Sequence, residues 1–246
     1  MKISVIVPTH NRQDKLKETI AGLRKQDFSA DEYEIIIVDD TSIPPVILAE
    51  DFNISPKVSL IRLENAERSV ARNAGAKLAK GELLLFVDDD ILVAEDFLTR
   101  HWQAHKEFPN TLVVGSVSLP PQNQNDPFVQ FRQKLENSAC PPNAGLIEDK
   151  NFCVAQNTSI KKELFDDISG FDEKFTSSED QDLALRHTAK GRKIVFEPKA
   201  FGIHNDNALD IRAYCRRNEW GSRTMLPFYE RYPNIISNVE RTDING

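Results

Sequence analysis

Three short runs of this chain are apolar on both faces, and they restrict the fold more than any other feature. They are KISVIV at 2–7, EIIIV at 34–38 and LLLFV at 83–87. Such runs are typical of central strands in a parallel sheet that helices cover on both sides. Amphipathic, helix-like stretches alternate with them along the chain. The sequence therefore predicts a doubly wound α/β fold with a Rossmann-like, mostly parallel sheet flanked by helices.

The same alternation predicts the positions of the elements and one domain. Strands are predicted at 2–7, 34–38, 57–62, 83–87, 111–118 and 193–203, and helices at 12–26, 67–79, 95–107, 127–138, 161–167, 178–190 and 209–230. The stretches 119–127 and 138–151 are predicted to be loops. We expect a single domain over 1–246, with a nucleotide-binding half at 1–118, an acceptor and catalytic half at 119–208 and a C-terminal helical segment at 209–246.

Composition excludes several classes of protein. The net charge of −7 argues against a protein that binds duplex nucleic acid, which needs a basic surface. Cys140, Cys153 and Cys215 form no CxxC pair, so neither a zinc motif nor a disulfide framework is predicted. No apolar run reaches about 18 residues, and the N-terminus turns polar too soon for a signal peptide. We expect a cytoplasmic protein, with the inner face of the membrane as a further location.

Two of the predicted strands end in carboxylates. EIIIVDD ends in Asp39 and Asp40, and LLLFVDDD ends in Asp88, Asp89 and Asp90. In open α/β sheets, ligands bind outside the carboxyl ends of the strands. Close carboxylates repel one another unless a cation compensates, and hard oxygen ligands suit Mn²⁺ or Mg²⁺. Alternation along an extended segment would turn Asp88 and Asp90 to one side and Asp89 to the other.

A glycine-rich phosphate loop is absent. The first strand runs into PTHNR at 8–12, and neither GxGxxG nor GxxxxGK[ST] occurs in the chain. Any bound phosphates would therefore be held by a metal on Asp88 and Asp90 rather than by a backbone cradle. The alternative is that these acids are solvated loop residues that happen to follow strands.

Four motifs resemble those of family 2 glycosyltransferases and follow in the same order. They are SVIVPTHNR at 4–12, IIIVDDTS at 35–42, ARNAGAKLAKGELLLFVDDDI at 71–91 and SSEDQDLALR at 177–186. The resemblance covers 2–205 and implies a GT-A fold. It also implies an inverting, metal-dependent transfer of a sugar from a nucleotide sugar, expected to be a UDP-sugar. The acceptor would be a saccharide or a lipid-linked molecule in glycan or cell-surface polysaccharide synthesis.

The resemblance implies roles for individual residues. The implied nucleotide-binding residues are Pro8, Thr9, Asn11, Asp39 (at the base), Arg72, Asp88 and Asp89. The implied metal ligands for Mn²⁺ or Mg²⁺ are Asp90 and His204, and the implied catalytic base is Asp180. The implied acceptor or sugar contacts are Asn157, Glu179 and Trp220. RRNEW at 216–220 is only distantly similar to the QxxRW motif of processive relatives, so we expect a non-processive enzyme.

Several of these residues also have a purely structural interpretation. Ser178 and Gln181 fit a capping box and Gly191 a C-terminal stop, so the acids between them could serve only the helix dipole. A lone histidine such as His204 is more often packed than liganded. Arg68 is expected on a solvated helix face. The basic, aromatic segment 209–231 predicts a helix that packs on the domain, with an anionic membrane or a lipid-linked acceptor as the alternative.

Three competing functions stay open. A nucleotidyltransferase would share the sheet and the metal but is disfavoured by the missing glycine-rich loop. An Asp-based phosphohydrolase would share the strand followed by acids, but Leu92 stands where that class has Thr or Val and the motif lies mid-chain. A non-catalytic binding domain of the same fold is the third.

Overall fold

The computed structural model describes residues 1–48, 55–64, 67–120, 126–138, 140–148, 154–205 and 210–236. The strands are β1 (Ile3–Thr9), β2 (Tyr33–Asp40), β3 (Lys57–Leu63), β4 (Leu83–Val87), β5 (Ile91–Val93), β6 (Thr111–Ser118), β7 (Gly145–Ile147), β8 (Asn157–Lys161) and β9 (Lys193–His204). The helices are α1 (Gln13–Leu23), α2 (Arg68–Leu78), α3 (Phe97–Glu107), α4 (Pro127–Ser138), α5 (Lys162–Asp167), α6 (Glu179–Ala189), α7 (Ile211–Thr224), α8 (Leu226–Arg231) and α9 (Pro233–Ile236), with a 3-10 turn at Ala30–Glu32.

All described strands join one sheet in the order β3-β2-β1-β4-β8-β6-β9-β5, and β7 pairs with β9. The pairs among β3, β2, β1 and β4 are parallel, as is the pair of β6 with β9. β8 is antiparallel to both β4 and β6, and β5 and β7 are antiparallel to β9. The prediction of a doubly wound α/β fold is confirmed. The sheet spans both predicted halves, whose functional division stays a prediction.

The differences from the predicted elements are local. The predicted helix 209–230 is two helices, α7 and α8, which meet at Met225 just before Pro227. The predicted loop 138–151 contains the short strand β7, and β5 and β8 were not predicted as strands. Residues 121–125 and 149–153, which include Cys153, lie outside the described residues.

Alternate side chains of the central strands feed two cores, one on each face of the sheet. Ile6, Val38 and Phe86 belong to the core beneath α2, α5 and α6. The neighbouring Val7 and Val87 belong to the core beneath α1 and α3. This period of two explains why these strands are apolar at almost every position. The apolar residues end where the strands end, and polar side chains follow them at the edge of the sheet.

Helix α2 packs very close to the sheet because it carries a glycine at the contact. A Cβ placed on Gly75 would lie 2.5 Å from the Ile6 Cγ2 atom and 3.2 Å from the Val38 Cγ2 atom. Ala71 and Ala76 of the same helix are also small and buried. The close approach brings the long side chain of Arg72, on this helix, to the end of β4.

Candidate active site

A cavity of about 390 Å³ opens at the carboxyl ends of β1, β2 and β4. Most of the residues that line it are polar or charged, and they come from the ends of these strands, the turn after β4, the start of α2, the segment before α6 and α7. The lining residues are Pro8, Thr9, His10, Arg12, Asp40, Glu67, Arg68, Asp88, Asp89, Thr176 and Trp220. Cavities of this size and position are typical of ligand sites in α/β folds.

Five of the predicted site residues line this cavity, and several lining residues were not predicted as site residues. The predicted ones are Pro8, Thr9, Asp88, Asp89 and Trp220. Arg68 was expected on a solvated face, but its exposed side chain lines the cavity. Sequence reasoning also missed His10 and Arg12, although both lie in the loop after β1 whose neighbours were predicted.

The three consecutive acids after β4 form a turn. The Ile91 N–H donates to the Asp88 carbonyl oxygen at 3.3 Å, which closes the turn. The prediction of an extended segment, with Asp88 and Asp90 on the same side, is therefore wrong. Asp89 and Asp90 both contact the guanidinium of Arg12, whereas Asp88 contacts Arg72.

Asp89 is buried between β1 and α1. The Thr9 hydroxyl donates to Asp89 Oδ2 at 2.6 Å, and Arg12 Nη1 lies 3.4 Å from Asp89 Oδ1. Burial raises the pKa of the Asp89 carboxyl to about 6, although the Thr9 bond and the Arg12 charge oppose the shift. The nearby charges of Asp90 and Asp88 add to the rise in this pKa. Thr9 thus ties the end of β1 to the turn after β4.

Asp90 and His204 offer two donors to a cation. The Asp90 Oδ2 atom lies 3.3 Å from His204 Nε2 and 2.6 Å from Arg12 Nη1. The Asp90 Oδ1 atom is buried and has no hydrogen-bond partner among the described residues. Burial acts to raise the pKa of Asp90, but His204, Arg12 and Arg217 together hold it below its ordinary value. A carboxylate that stays ionised beside an imidazole suits Mn²⁺ or Mg²⁺.

These two donors would not complete a coordination shell by themselves. Among the described residues, no group of three or more His, Cys, Asp or Glu side chains is arranged to hold a metal. Mg²⁺ and Mn²⁺ usually take one or two carboxylates and complete their shell with water and substrate phosphates. The pair therefore fits a metal that binds together with a phosphorylated ligand.

Arg72 connects the turn after β4 with helix α6. Its side chain is 2% exposed, and its Nη2 lies 2.8 Å from Asp88 Oδ1 while its Nη1 lies 2.6 Å from Glu179 Oε1. Burial alone would lower the pKa of Arg72, but the two carboxylates raise it above its ordinary value. The predicted donor-side residues Arg72 and Asp88 are thus joined to the first residue of α6.

Asp180, the predicted base, lies in the first turn of α6. The Gln181 N–H donates to its Oδ1 at 2.8 Å, and the Ala155 N–H donates to its Oδ2 at 3.2 Å. Burial raises the pKa of Asp180 to about 7, the Glu179 charge adds to the rise, and Arg72 opposes it. Asp180 does not itself line the cavity and reaches it only through the chain of Glu179, Arg72 and Asp88.

The start of α6 differs from the prediction. Ser178 has a left-handed backbone with φ of 63° and makes no side-chain capping bond. The predicted capping box with Gln181 is therefore wrong, since a capping residue usually has an extended backbone. The predicted stop is present, because Gly191 has φ of +76° just after α6.

Asn11 and Asp39 hold loops together rather than line the cavity. Asn11 Oδ1 accepts from the Ile43 N–H at 2.7 Å, which joins the loops after β1 and β2. Asp39 is 1% exposed and accepts from the Ser42 N–H at 2.9 Å and from Arg62 Nη1 at 2.8 Å. The next residue, Asp40, lines the cavity in its place.

Asn157 has no exposed surface with which to contact a sugar, so we remove it from the candidate site. Its amide nitrogen donates to the Ser116 and Ala200 carbonyl oxygens at 3.0 Å and 2.8 Å. Its Oδ1 lies 2.9 Å from His101 Nε2. Its amide therefore joins β8 to two other strands and to helix α3.

Helix α7 runs beside the site. Trp220 is 50% exposed and lines the cavity, and the Thr224 hydroxyl lies 2.6 Å from the Ser177 hydroxyl next to α6. The charge of Arg217 contributes to the lowered pKa of Asp90, which places it close to that acid. None of the residues of α7 is buried. No helix in the described part of the chain has the length and hydropathy to cross a membrane.

Comparison with known proteins identifies the family. The model of glycosyl transferase family 2 matches residues 4–169. An uncharacterized glycosyltransferase of Haemophilus influenzae is 30% identical over 75% of this chain and 61% of its own length. The poly(ribitol-phosphate) beta-glucosyltransferase of Bacillus spizizenii is 26% identical over 99% of this chain and 38% of its own length. The chain thus spans less than two thirds of these curated relatives.

Solved structures have the same fold. TarS residues 1–349 of Staphylococcus aureus superposes with a TM-score of 0.65 at 23% identity, over 82% of this chain and 60% of that one. The mannosyltransferase PcManGT of Pyrobaculum calidifontis, in complex with GDP-Man and Mn²⁺, superposes with a TM-score of 0.63 at 20% identity, over 94% of this chain and 64% of that one. These superpositions agree with the GT-A fold that the four motifs predicted. Because the family match covers more than half of the chain, this protein belongs to glycosyltransferase family 2.

Proposed function

We propose that this chain catalyses an inverting, metal-dependent transfer of a sugar from a nucleoside diphosphate sugar to an acceptor hydroxyl. The observation that carries the proposal is the convergence of the ends of β1, β2 and β4 on one cavity, beside Asp90, whose buried Oδ1 atom has no hydrogen-bond partner in the described part of the chain. A cavity with one acidic corner suits a ligand whose phosphates bring a divalent cation with them.

The donor site would use the two sides of this cavity differently. Pro8, Thr9 and Asp40 would face the nucleoside, and Asp39 would support the loop beneath it. Asp90 and His204 would hold Mn²⁺ or Mg²⁺ against the diphosphate. Two structural neighbours support a nucleotide sugar as the donor, since TarS was solved with UDP-GlcNAc and PcManGT with GDP-Man and Mn²⁺. We propose a UDP-sugar for this chain because Asp39 stands in the family motif whose acid contacts the base, typically uracil, and the titration below compares UDP with GDP.

The chemistry needs a group that takes the proton of the acceptor hydroxyl as that hydroxyl attacks the anomeric carbon. Asp180 is our candidate, since two backbone N–H groups fix its carboxyl and its pKa is raised to about 7, close to physiological pH. A bound metal would stabilise the charge of the departing nucleoside diphosphate as a Lewis acid. One displacement without a covalent intermediate inverts the anomeric configuration.

The acceptor side is assigned to α7 and Glu179. Arg212, Arg216 and Arg223 of α7 are exposed, and Trp220 reaches the cavity from the same helix. Cationic side chains beside an aromatic contact suit an anionic glycan polymer. Curated relatives from Staphylococcus aureus and Bacillus spizizenii act on poly(ribitol phosphate), which is such a polymer. We therefore propose a cell-surface polymer, or its lipid-linked precursor at the inner face of the membrane, as the acceptor.

Calorimetric titration tests the donor site directly. UDP, dTDP and GDP are each titrated with and without Mn²⁺ into the wild-type chain and into Asp90→Ala. We expect binding of UDP that requires Mn²⁺ and is lost in Asp90→Ala, whereas Arg24→Ala, a change just after α1 and outside the cavity lining, retains it. If no nucleoside diphosphate binds in the presence of Mn²⁺, the proposal is wrong.

A further inference from the structure

The two arginines that neutralise the acidic turn after β4 differ in their freedom to move. Arg72, which contacts Asp88, is 2% exposed and is held from a second side by Glu179. Arg12, which contacts Asp89 and Asp90, is 47% exposed and extends into the cavity. The acids that Arg12 contacts are each 6% exposed. The carboxylates are therefore fixed, and the guanidinium of Arg12 is the movable partner.

Arg12 also lies where a cation would have to bind. His204 Nε2 lies 3.3 Å from the Oδ2 atom of Asp90, so a metal held between this imidazole and this carboxylate would lie close to that oxygen. Arg12 Nη1 is already 2.6 Å from it. Two cations at one carboxylate oxygen repel each other strongly in a partly buried site. A divalent metal and the guanidinium therefore compete for Asp90.

We infer that Arg12 is the counter-ion of Asp89 and Asp90 in the absence of metal, that the divalent cation displaces it, and that the released guanidinium then binds the diphosphate of the donor. The inference rests on the proposed function and adds to it a residue that couples the metal to the nucleotide. A guanidinium in the cavity can bind phosphate oxygens through two parallel hydrogen bonds. No covalent bond changes in this exchange.

The exchange predicts opposite effects of one substitution on two ligands. Arg12→Ala removes the competitor, so Mn²⁺ alone should bind about tenfold more tightly than to the wild type, which is roughly 1.4 kcal/mol. The same substitution removes a phosphate contact, so UDP should bind about tenfold more weakly when Mn²⁺ is saturating. General damage to the site would weaken both ligands together.

Both affinities can be measured without turnover. Free Mn²⁺ is followed by its electron paramagnetic resonance signal in the absence of nucleotide, and UDP binding is followed by calorimetry at saturating Mn²⁺. Arg68→Ala is the matched control, because Arg68 lines the same cavity and carries the same charge but forms no ion pair with Asp90 in the described part of the chain. Its effect on Mn²⁺ affinity should stay below about threefold, as for an exposed charge.

The possible results separate this inference from the proposed function. If Arg12→Ala does not tighten Mn²⁺ binding beyond the Arg68→Ala control, or leaves UDP affinity unchanged, the inference is overturned while the donor site stands. If Mn²⁺ binding tightens but no nucleoside diphosphate binds to the wild type, the proposed function fails and the second half of the inference fails with it. Tighter Mn²⁺ binding together with weaker UDP binding supports the whole exchange.

Discussion

Two polar clusters among the described residues differ in charge and in access to solvent. The acidic cluster consists of Asp88, Asp89, Asp90, Arg12 and Arg72. The histidine cluster consists of His101, His105, Asn157 and Ser159. The acidic cluster opens on the cavity and keeps one carboxylate oxygen without a partner among the described residues. The histidine cluster has no residue in the lining of the cavity.

The histidine cluster is neutral and lies away from the cavity, although the buried Nδ1 atom of His105 also lacks a hydrogen-bond partner among the described residues. The two ring nitrogens of His101 lie 2.8 Å from the Ser159 hydroxyl and 2.9 Å from Asn157 Oδ1, and His105 Nε2 lies 2.8 Å from the same hydroxyl. Burial lowers the pKa of His101 to about 4 and that of His105 to about 3, so both rings are uncharged at neutral pH. Buried polar groups that are neutral and bonded hold elements together, whereas buried charge that stays unbalanced is typical of a functional site.

Asp180 follows Glu179, which is paired with Arg72 of the acidic cluster. The largest effect that we expect near this cluster is the loss of sugar transfer in Asp180→Asn. An amide cannot accept the acceptor proton, so kcat should fall by roughly 10²–10⁴-fold, the range for general bases. Because Asp180 does not line the cavity, the affinity for UDP and Mn²⁺ should stay within about threefold of the wild type. Rates and calorimetry on the same preparation check both statements, and an Asp180→Asn enzyme that retains its rate would remove Asp180 from the mechanism.

The dependence of kcat/KM on pH also tests whether Asp180 is the base. A base must be ionised, and burial raises the pKa of Asp180 to about 7, so kcat/KM should rise with pH up to about 7 and then level off. The charge of Glu179 contributes to this raised pKa, and Arg72, released from Glu179, would favour the ionised form further. Glu179→Gln should therefore move the midpoint to lower pH. A profile that Glu179→Gln leaves unmoved would contradict the assignment.

The next effect concerns stability within the acidic cluster. Arg72→Ala would leave Asp88 and Glu179 facing each other without their shared, buried cation, and we expect a loss of about 3–5 kcal/mol in the free energy of unfolding. Arg12→Ala should cost less than Arg72→Ala, because that guanidinium is half-exposed although its two partner acids are buried. Urea denaturation of the two variants at one pH measures the difference. Equal losses would mean that Arg12 is as fixed as Arg72.

The sequence predicted best those strands whose own residues are apolar enough to require burial. LLLFV and TLVVGSVS coincide with β4 and β6 because their apolar side chains have only the core to enter. Strand β8 was missed because Asn157, Thr158 and Ser159 are polar and yet 0% exposed. The two histidines of α3 bind Asn157 and Ser159 in space, and no local pattern reports such a contact.

The candidate site also contains residues that the sequence could predict and residues that it could not. The acids after β4 could be found from the sequence because strand ends in such sheets meet at one edge. Arg12 could not be found, because its partners Asp89 and Asp90 are 77 and 78 residues away in the chain. Asn157 was predicted to contact a sugar because of its position in a motif. That position does not show that other residues already form hydrogen bonds with its amide. Long-range pairing decides which polar residues are free for a ligand.

The smallest expected effect tests whether the histidine cluster is only structural. Both histidines of the cluster have a folded-state pKa below the ordinary value. Their contribution to the free energy of unfolding is therefore fully present above about pH 6.5. It is lost as the pH falls toward 4, by roughly 1.4 kcal/mol per pH unit for each ring. Urea denaturation of His105→Gln between pH 7.5 and 5 should show a shallower loss than the wild type, because an amide does not take up a proton. His10→Gln, a change at an exposed histidine, is the matched control and should keep the wild-type dependence. An unchanged slope in His105→Gln would mean that His105 is already accessible to protons in the folded state, and the contrast between a closed and an open cluster would then be wrong.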